Sequence, residues 1–323
     1  MAVSISLWSA MPIYGLPRSF PEQVEGPAKV HYLAVFSSSS RVDATIEEVV
    51  SLLDGIPSGG ETATVLKEGQ AFEIDVGREA IDGWGDLRDR AAHLQMDVNI
   101  IPAANRRKQL LIADMDSTII TSESLDDMAD MAGLSSAIVP ITARSMRGEL
   151  DFEAALDERV ALLRGLPESL VQQALDEASL TAGARRLVQT MRANGAKCYL
   201  VSGGFTAITG PIASACGFHG DHANILETKD GLLTGTVSKP VLDRESKLQF
   251  LDSYCAALGI GRDAAACIGD GANDLAMLQA AGFGVAFHGK PLLREAVALQ
   301  LNHTDLTGLL YLQGYGQSEF VES

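Results

Sequence analysis

The chain has 323 residues, of which 46% are hydrophobic, and its 42 acidic and 25 basic residues give a formal net charge of −17. A chain of this length can bury a large core and has room for two domains or three. The acidic balance argues against a nucleic-acid partner, because the one short basic tract is residues 106–108, but it still permits a small anionic substrate.

Sequence features of export and membrane insertion are missing from this chain. Its four cysteines form no C-x-x-C pair and no dense framework, which indicates a reducing compartment. Residues 1–30 lack the basic start, apolar run and small-residue cleavage site of a signal peptide, and no run of 18 apolar residues occurs. We therefore expect a cytoplasmic protein with neither a membrane nor a nucleic-acid partner.

The first 104 residues predict a small N-terminal α/β domain. Apolar runs and period-two alternation indicate strands, and apolar residues at helical spacing indicate helices. The predicted strands are residues 29–38, 71–77 and 96–102, and the predicted helices are residues 45–55 and 84–94. A polar junction, "PAANRRKQ", follows at residues 102–109, so we divide the chain into residues 1–104 and 105–323.

The second part of the chain carries the signals of a parallel sheet. Short apolar runs end at polar residues and alternate with helical segments: "LLIAD" (110–114), "KCYLVSGG" (197–204), "AACIGDG" (265–271) and "FGVAF" (283–287). Apolar strands that alternate with helices predict a Rossmann-like, doubly wound parallel sheet covered on both faces. Asp114, Ser202 and Asp270 follow the carboxyl ends of three strands, the edge at which such sheets bind ligands.

A long helical insert separates the first two of these strands. Residues 123–180 contain no strand signal, and the segment 151–165 places Phe152, Leu156, Val160 and Leu163 on one stripe. We expect this insert to form a small helical cap over the strand ends.

Two carboxylates at the end of the first parallel strand raise the question of chemistry. Asp114 and Asp116 are separated by one residue, and a bend at the strand end could turn one into a nucleophile and the other into a proton donor. A D-x-D pair taken alone is better explained as a capping turn, in which Asp116 or Ser117 starts the next helix.

The other strand ends favour chemistry. The segment 202–204, "SGG", offers a hydroxyl and unhindered N–H groups as an anion cradle. Asp270 and Asp274, with Asp114, could hold a hard cation such as Mg²⁺ through oxygen ligands. Lys247 precedes the Asp270 strand by one element and adds a cation. A nucleophile, an acid, a metal site and an anion cradle on one sheet edge predict a phosphoryl-transfer site.

These motifs resemble those of a known family. "DMDST" (114–118), "SGG", Lys247 and "GDGAND" (269–274) are similar to the four motifs of haloacid dehalogenase-like phosphatases. The resemblance covers Leu110 to Leu293. "TSE" (121–123), the cap stretch 146–166 and "VSGGFT" (201–206) are similar, more narrowly, to the phosphoserine phosphatase family.

The resemblance implies a role for each matching residue. Asp114 would be the nucleophile and a Mg²⁺ ligand. Asp116 would be the general acid and then base, and would bind Mg²⁺ through its backbone carbonyl. Asp270 would be the second carboxylate ligand. The residues expected to bind the phosphoryl oxygens are Ser202, Gly203, Lys247 and Asn273, and those expected to bind the amino and carboxylate groups of the substrate are Glu123 and Arg159. Without the resemblance, the Arg159 stem could simply extend along the cap core.

The implied activity is hydrolysis of phosphoserine, a small-molecule substrate, through an aspartyl-phosphate. Alternatives are another phosphomonoesterase or a phosphotransferase of the same superfamily, or a non-catalytic phospho-receiver. The resemblance also suggests that residues 1–104 form a regulatory domain of ACT type and that the protein is a homodimer. A fragment starting near Asn105 is expected to keep the chemistry, because each of these site residues lies after that point.

Overall fold

The computed structural model describes residues 31–42, 46–53, 63–146 and 149–322. Residues 1–30 of the predicted N-terminal domain lie outside these ranges, and they include residues 29 and 30 of the first predicted strand. Residues 45, 54 and 55 of the first predicted helix also lie outside them. The strands within the described ranges are β1 (Tyr32–Ser37), β2 (Thr64–Lys67), β3 (Ala71–Val76), β4 (Asp97–Pro102), β5 (Leu110–Ala113), β6 (Lys197–Phe205), β7 (Gly220–Asn224), β8 (Leu226–Lys229), β9 (Leu232–Val237), β10 (Ala265–Gly269), β11 (Phe283–Phe287) and β12 (Leu299–Leu301). The α-helices there are α1 (Ile46–Ser51), α2 (Trp84–His93), α3 (Ser124–Met131), α4 (Ser135–Met146), α5 (Phe152–Ala161), α6 (Ser169–Glu177), α7 (Ala184–Ala193), α8 (Thr206–Cys216), α9 (Arg244–Leu258), α10 (Leu275–Ala280), α11 (Pro291–Ala296) and α12 (Gly308–Leu312).

Six parallel strands form the sheet that positions the candidate site. Their order is β12-β11-β10-β5-β6-β7, and every neighbouring pair is parallel. Each residue of β5, β10 and β11 is buried, as expected for apolar strands covered by helices on both faces. The Rossmann-like doubly wound α/β fold is therefore confirmed. Because β5 lies between β10 and β6, the chain segments that follow these three strands meet at one edge, the switch point of the sheet.

Helices α3 to α6 form the cap between β5 and β6. The two chain segments that join the cap to the sheet pair with each other: Ile120 and Leu180 form an isolated antiparallel bridge, and the Thr181 N–H donates to the Ile119 carbonyl at 2.9 Å. Strand β9, in the two-stranded antiparallel sheet β8-β9, packs against α5. The helical insert predicted over residues 123–180 is thus present in the described residues as α3 to α6.

The N-terminal sheet has four antiparallel strands. Its order is β2-β3-β1-β4, and with α1 and α2 the chain follows the β-α-β-β-α-β path of ferredoxin-like domains. Three of these strands and both helices match the sequence prediction. Strand β2, "TVLK", was not predicted, because its four residues show no alternation of apolar and polar side chains. In the structure two of the four are exposed.

The N-terminal sheet packs closely on the rest of the chain. All six residues of β1 are buried, and apolar residues of both parts belong to one continuous core, with α12 packed against β1. At the seam, the Asn99 side chain pairs with the backbone of Gln300, as its Nδ2 donates to the carbonyl at 2.8 Å and its Oδ1 accepts the N–H at 2.9 Å. The Asp97 carboxylate accepts three successive backbone N–H groups, those of residues 302–304, at 2.7–3.0 Å.

None of the helices in the described part of the chain combines the length and the apolar character that a bilayer crossing requires.

Candidate active site

Asp114 occupies the end of the central strand β5 and is held by groups from three elements. Its Oδ1 accepts the Met115 N–H at 2.8 Å and lies 2.8 Å from the Lys247 Nζ. Its Oδ2 accepts a longer hydrogen bond, 3.3 Å, from the Asn273 Nδ2. The carboxylate is almost fully buried, so it is fixed in one orientation at the sheet edge.

Lys247 is the buried cation of the site. Helix α9 begins at an Asp243 cap whose carboxylate accepts the Ser246 N–H, and this start places Lys247 in the first turn, under the strand ends. Its Nζ contacts Asp114 Oδ1 at 2.8 Å and Asp274 Oδ1 at 2.6 Å. Burial alone would lower the pKa of this lysine, but the two carboxylates raise it above its usual value, so the ammonium stays charged.

Asp116 lies in the turn after β5 and is held against the start of the cap. Ser117 adopts a left-handed conformation with φ of 52°, which is uncommon for a residue other than glycine and reverses the chain after the strand. The Asp116 carboxylate then accepts the backbone N–H and the hydroxyl of Ser124, the first residue of α3, each at 3.2 Å. Burial, reinforced by the charges of Asp114 and Glu123, raises the pKa of Asp116 to about 7.

Three carboxylates form a cluster that could hold a metal ion. One oxygen each of Asp114, Asp270 and Asp274 lies within 4.8 Å of the others, and all three residues are buried. Burial raises the pKa of Asp270, and burial and the Asp114 charge raise that of Asp274. A cluster of hard oxygen donors with raised pKa values suits a divalent cation that keeps them ionised. A side chain on Gly269 would meet the Asp274 carboxylate, since its Cβ would lie 2.3 Å from the Asp274 Cγ.

The end of β6 supplies the predicted anion cradle. The Ser202 hydroxyl accepts the Gly204 N–H at 2.9 Å, and the Asn224 Nδ2 donates to the Gly203 carbonyl at 2.8 Å. A Cβ on Gly203 would lie 3.0 Å from the Phe152 ring of α5, and a Cβ on Gly204 would lie 3.2 Å from Asp116 Oδ2. The two glycines therefore let the cap and the Asp116 carboxylate approach this turn closely.

Glu123 and Arg159 both belong to the cap segment between β5 and β6. Glu123 immediately precedes α3, accepts the Ser117 hydroxyl at 2.9 Å and lies 3.4 Å from the Lys290 Nζ. Arg159, on α5, reaches the carboxylate of Asp126 only at 3.9 Å. The Arg159 Nε is buried and has no hydrogen-bond partner among the residues that the structure describes. Its guanidinium therefore has donor capacity available for a ligand.

The structure brings most of the predicted residues to one edge of the sheet. Lys247 and Asn273 each contact Asp114, while Asp270 and Glu123 share Lys290 as a counter-ion. Three residues of the site escaped the sequence analysis: Ser124, Asn224 and Lys290. Each is an ordinary surface or loop residue by sequence, and only the three-dimensional contacts reveal its role.

Chemically, this edge offers a fixed carboxylate beside a cation and a second carboxyl group that is readily protonated near neutral pH. The first suits attack on an electrophile and the second suits proton transfer to a leaving group, a division of labour that requires separated pKa values. The amide, ammonium and backbone N–H groups around them suit a phosphoryl group.

Comparisons with known proteins agree with this geometry. A model of the haloacid dehalogenase-like hydrolase family matches residues 111–279, a stretch that contains the cap and the carboxyl ends of β5, β6 and β10. Over 235 residues the chain is 43% identical to the phosphoserine phosphatase of Streptomyces coelicolor, a match that covers 72% of this chain and 57% of that protein. The chain thus spans little more than half the length of this relative.

Two solved structures extend the comparison to the fold. A HAD family hydrolase from Salmonella enterica serovar Typhi superimposes with a TM-score of 0.77 at 28% identity, covering 87% of this chain and 98% of that one. A phospho-aspartyl intermediate analogue of phosphoserine phosphatase superimposes with a TM-score of 0.60 at 35% identity, covering 64% and 98%. The family model, the relative and both structures agree with the four motifs, and the chain belongs to the haloacid dehalogenase-like hydrolase family.

Proposed function

We propose that the protein is a phosphoserine phosphatase, which hydrolyses O-phospho-L-serine to L-serine and phosphate through an aspartyl-phosphate. One observation carries the proposal: Asp114 is fixed between Lys247 and Asn273 at the sheet edge, and the adjacent Asp116 has a pKa of about 7. The printed names of the Streptomyces relative and of the intermediate analogue support the same reaction.

In the first half-reaction, Asp114 acts as the nucleophile. One of its carboxylate oxygens forms a bond to phosphorus while the bond from phosphorus to the serine oxygen breaks. Asp116, protonated near neutral pH because it is buried, gives its proton to that serine oxygen. The Ser124 N–H and hydroxyl then stabilise the Asp116 carboxylate that remains.

In the second half-reaction, Asp116 acts as the base. It takes a proton from a water molecule whose oxygen bonds to phosphorus, and the bond from phosphorus to the Asp114 oxygen breaks. Phosphate leaves, Asp114 returns as a carboxylate, and Asp116 is again protonated. The cap excludes bulk water during these steps, with Phe152 lying against Gly203 at the cradle.

We assign the phosphoryl oxygens to four groups around Asp114, and the metal to Mg²⁺. The groups assigned to the phosphoryl oxygens are Ser202, the Gly203 N–H, Lys247 and Asn273. Mg²⁺ would be held by a carboxylate oxygen of Asp114, a carboxylate oxygen of Asp270 and the backbone carbonyl of Asp116. Bound there, it would neutralise negative charge on the phosphoryl group. Asp274 instead holds Lys247, because its two oxygens already accept the Lys247 Nζ and the Gly271 N–H.

We propose that Glu123 and Arg159 bind the serine part of the substrate. The Glu123 carboxylate suits an ammonium group, and the planar Arg159 fork suits a carboxylate. The open donor capacity of Arg159 supports this assignment, because its only ionic neighbour among the described residues, Asp126, lies as far as 3.9 Å.

A substrate panel tests the proposed function. Phosphate release is measured for O-phospho-L-serine, phosphothreonine, phosphoglycerate and an aryl phosphate, with Mg²⁺ and after chelation. We expect Mg²⁺-dependent turnover with phosphoserine as the best substrate. Equal rates across the panel would indicate a general phosphomonoesterase, and transfer of the phosphoryl group to an added alcohol would indicate a phosphotransferase. Labelling of Asp114 without phosphate release would indicate a phospho-receiver. Each of these outcomes contradicts the proposal.

We further propose that residues 105–323 carry the chemistry and that residues 1–104 form a regulatory or dimerisation domain. The ferredoxin-like path of the N-terminal strands supports an ACT-type domain. The four cysteines are free and buried, which suits a reducing compartment such as the cytoplasm. Turnover and solution mass of the full chain and of a fragment starting at Asn105 test this division. An inactive folded fragment would contradict it.

A further inference from the structure

Lys290 is a residue of the site that the proposed mechanism does not use. It follows β11 and immediately precedes α11, and its backbone N–H donates to the Asp270 carbonyl at 2.9 Å. This hydrogen bond fixes the base of the side chain beside the carboxylate cluster. From there the Nζ lies 3.1 Å from Asp270 Oδ2 and 3.4 Å from Glu123 Oε1.

The two ion pairs of Lys290 join groups with different proposed ligands. Asp270 belongs to the sheet and is proposed to bind the metal, whereas Glu123 belongs to the cap and is proposed to bind the ammonium group of the substrate. Both ligands are cations, and Lys290 is a cation placed between their binding groups.

Exposure distinguishes Lys290 from the other lysine of the site. The Lys290 side chain is 55% exposed, whereas that of Lys247 is 1% exposed. The exposed Lys290 ammonium can return to water. Its partner Asp270 is only 7% exposed, so loss of the pair leaves a buried carboxylate uncompensated unless another cation takes the place of the ammonium. Lys290 can therefore leave its carboxylates when other cations arrive.

We propose that Lys290 is a displaceable internal counter-ion, which competes with the metal ion for Asp270 and with the substrate ammonium for Glu123. The first half of this role rests on the proposed metal site, and the second half rests on the proposed substrate. In the unliganded protein, Lys290 offsets the repulsion between the two carboxylates and thereby keeps Glu123 near the sheet. Because the metal and the amine must each displace Lys290 in order to bind, they bind less tightly than they would to the carboxylates alone. The weaker binding of the amine allows product release.

Electrostatics gives the expected size of the competition. A single and a double positive charge about 6 Å apart in a water-like medium repel each other by an amount equivalent to about a tenfold change in affinity. Removal of the Lys290 charge should therefore tighten metal binding by about that factor. The effect on the substrate should be smaller, because an ammonium carries only one charge.

Metal binding without substrate is the first test. Titration calorimetry with Mg²⁺, and electron spin resonance with Mn²⁺, compare the full-length protein with Lys290→Met and Lys290→Gln. We expect both neutral variants to bind about tenfold more tightly and Lys290→Arg to bind as the parent does. Lys239→Met is the matched control, because Lys239 also bridges two carboxylates, Glu153 and Asp157, but lies apart from the cluster. Unchanged or weaker binding in both neutral variants would overturn the proposal.

The substrate arm compares two esters at saturating metal. One is phosphoserine, and the other is the phosphate ester of 3-hydroxypropanoate, which lacks the amine. The ratio of their KM values cancels any effect of the Lys290 charge on the shared phosphate and carboxylate groups. We expect Lys290→Met to lower KM for phosphoserine several-fold relative to the amine-free ester.

The two arms separate the possible failures. A relative rise in KM for phosphoserine would make Lys290 an orienting group for Glu123 and would contradict the competition. If metal binding tightens but neither the parent nor the variant turns over phosphoserine, the proposed function fails while the competition at Asp270 stands.

Discussion

The two large sheets of this protein both contain buried polar side chains, but they use them in opposite ways. At the carboxyl ends of the parallel strands, Asp114, Asp270 and Asp274 lie together, and burial raises the pKa of the last two. On the N-terminal sheet, the buried Asp97 and Asn99 each meet complementary backbone groups.

The buried polar groups of the N-terminal sheet stabilise the structure, whereas those at the ends of the parallel strands suit the binding of a ligand. A buried carboxylate that accepts three N–H groups is satisfied and holds two parts of the chain together. Buried like charges that face one another are unfavourable in the isolated protein, and such arrangements are typical of functional sites. Substitutions in the parallel sheet should therefore affect activity, and substitutions at the N-terminal seam should affect stability.

The largest expected effect is that of Asp114→Asn. The amide keeps the shape of the side chain but is not a nucleophile, so turnover should fall to background and no acid-stable phosphoenzyme should form from labelled substrate. Lys247 keeps its Asp274 partner, so the variant should stay folded, as circular dichroism can check. Trapped phosphoenzyme in this variant would contradict the assignment of the nucleophile.

Asp116→Asn should have the next largest effect. Loss of the proton donor should slow phosphoserine hydrolysis by about 10²–10⁴-fold, the usual contribution of general acid–base catalysis. An aryl phosphate, whose leaving group needs little protonation, should still form the phosphoenzyme quickly and then accumulate it. Rapid-quench kinetics on both substrates measure this difference. Equal slowing of phosphoenzyme formation on both would show that Asp116 does not act on the leaving group.

Arg159→Ala should change binding more than chemistry. Loss of charge-assisted hydrogen bonds to the substrate carboxylate should raise KM for phosphoserine about 10- to 100-fold, with little change for an aryl phosphate that lacks the carboxylate. Arg144→Ala is the matched control, since Arg144 pairs with Glu158 on the exposed surface of the same cap. Steady-state kinetics with both substrates give the result, and equal losses on the two would argue against carboxylate binding.

The smallest effect on activity is expected for Asp97→Ala. Three N–H groups, one of them buried and two partly buried, lose their acceptor. The free energy of unfolding should therefore fall by about 1–3 kcal/mol and Tm by about 2–4 °C for each kcal/mol. Asp97→Asn keeps an acceptor oxygen and should lose less. We expect kcat and KM to stay within about twofold of the parent in both. An altered kcat at an unchanged Tm would mean that the seam communicates with the active site.

The sequence predicted those strands whose own residues show a clear apolar pattern. The strands β5, β6, β10 and β11 are apolar runs bounded by polar residues, so periodicity and composition identify them. The strands β7 ("GDHAN") and β12, by contrast, are the edges of the same sheet; one is polar and the other has only three residues. Their strand conformation depends on the neighbouring strand, which a local pattern does not encode.

The same limit applies to the candidate site. Asp114, Asp116, Asp270 and Ser202 were predictable because each lies near the carboxyl end of a recognisable strand, and parallel topology brings such positions together. The roles of Asn224 and Lys290 depend on contacts with residues 18–167 positions away in sequence. Lys290 reads as a solvated charge by sequence, and the seam residue Asp97 likewise shows no sign of its three backbone partners.

The paired chain segments at the base of the cap have a consequence for engineering and for evolution. Because the cap leaves the sheet and returns to it through adjacent residues, Ile120 and Leu180, its two ends already meet. An insert of this geometry can be exchanged for another of different shape without breaking the sheet, as happens with inserted domains whose termini lie close together. The reacting groups on the strands would stay in place while the choice of substrate changed, so recognition and chemistry can be altered separately.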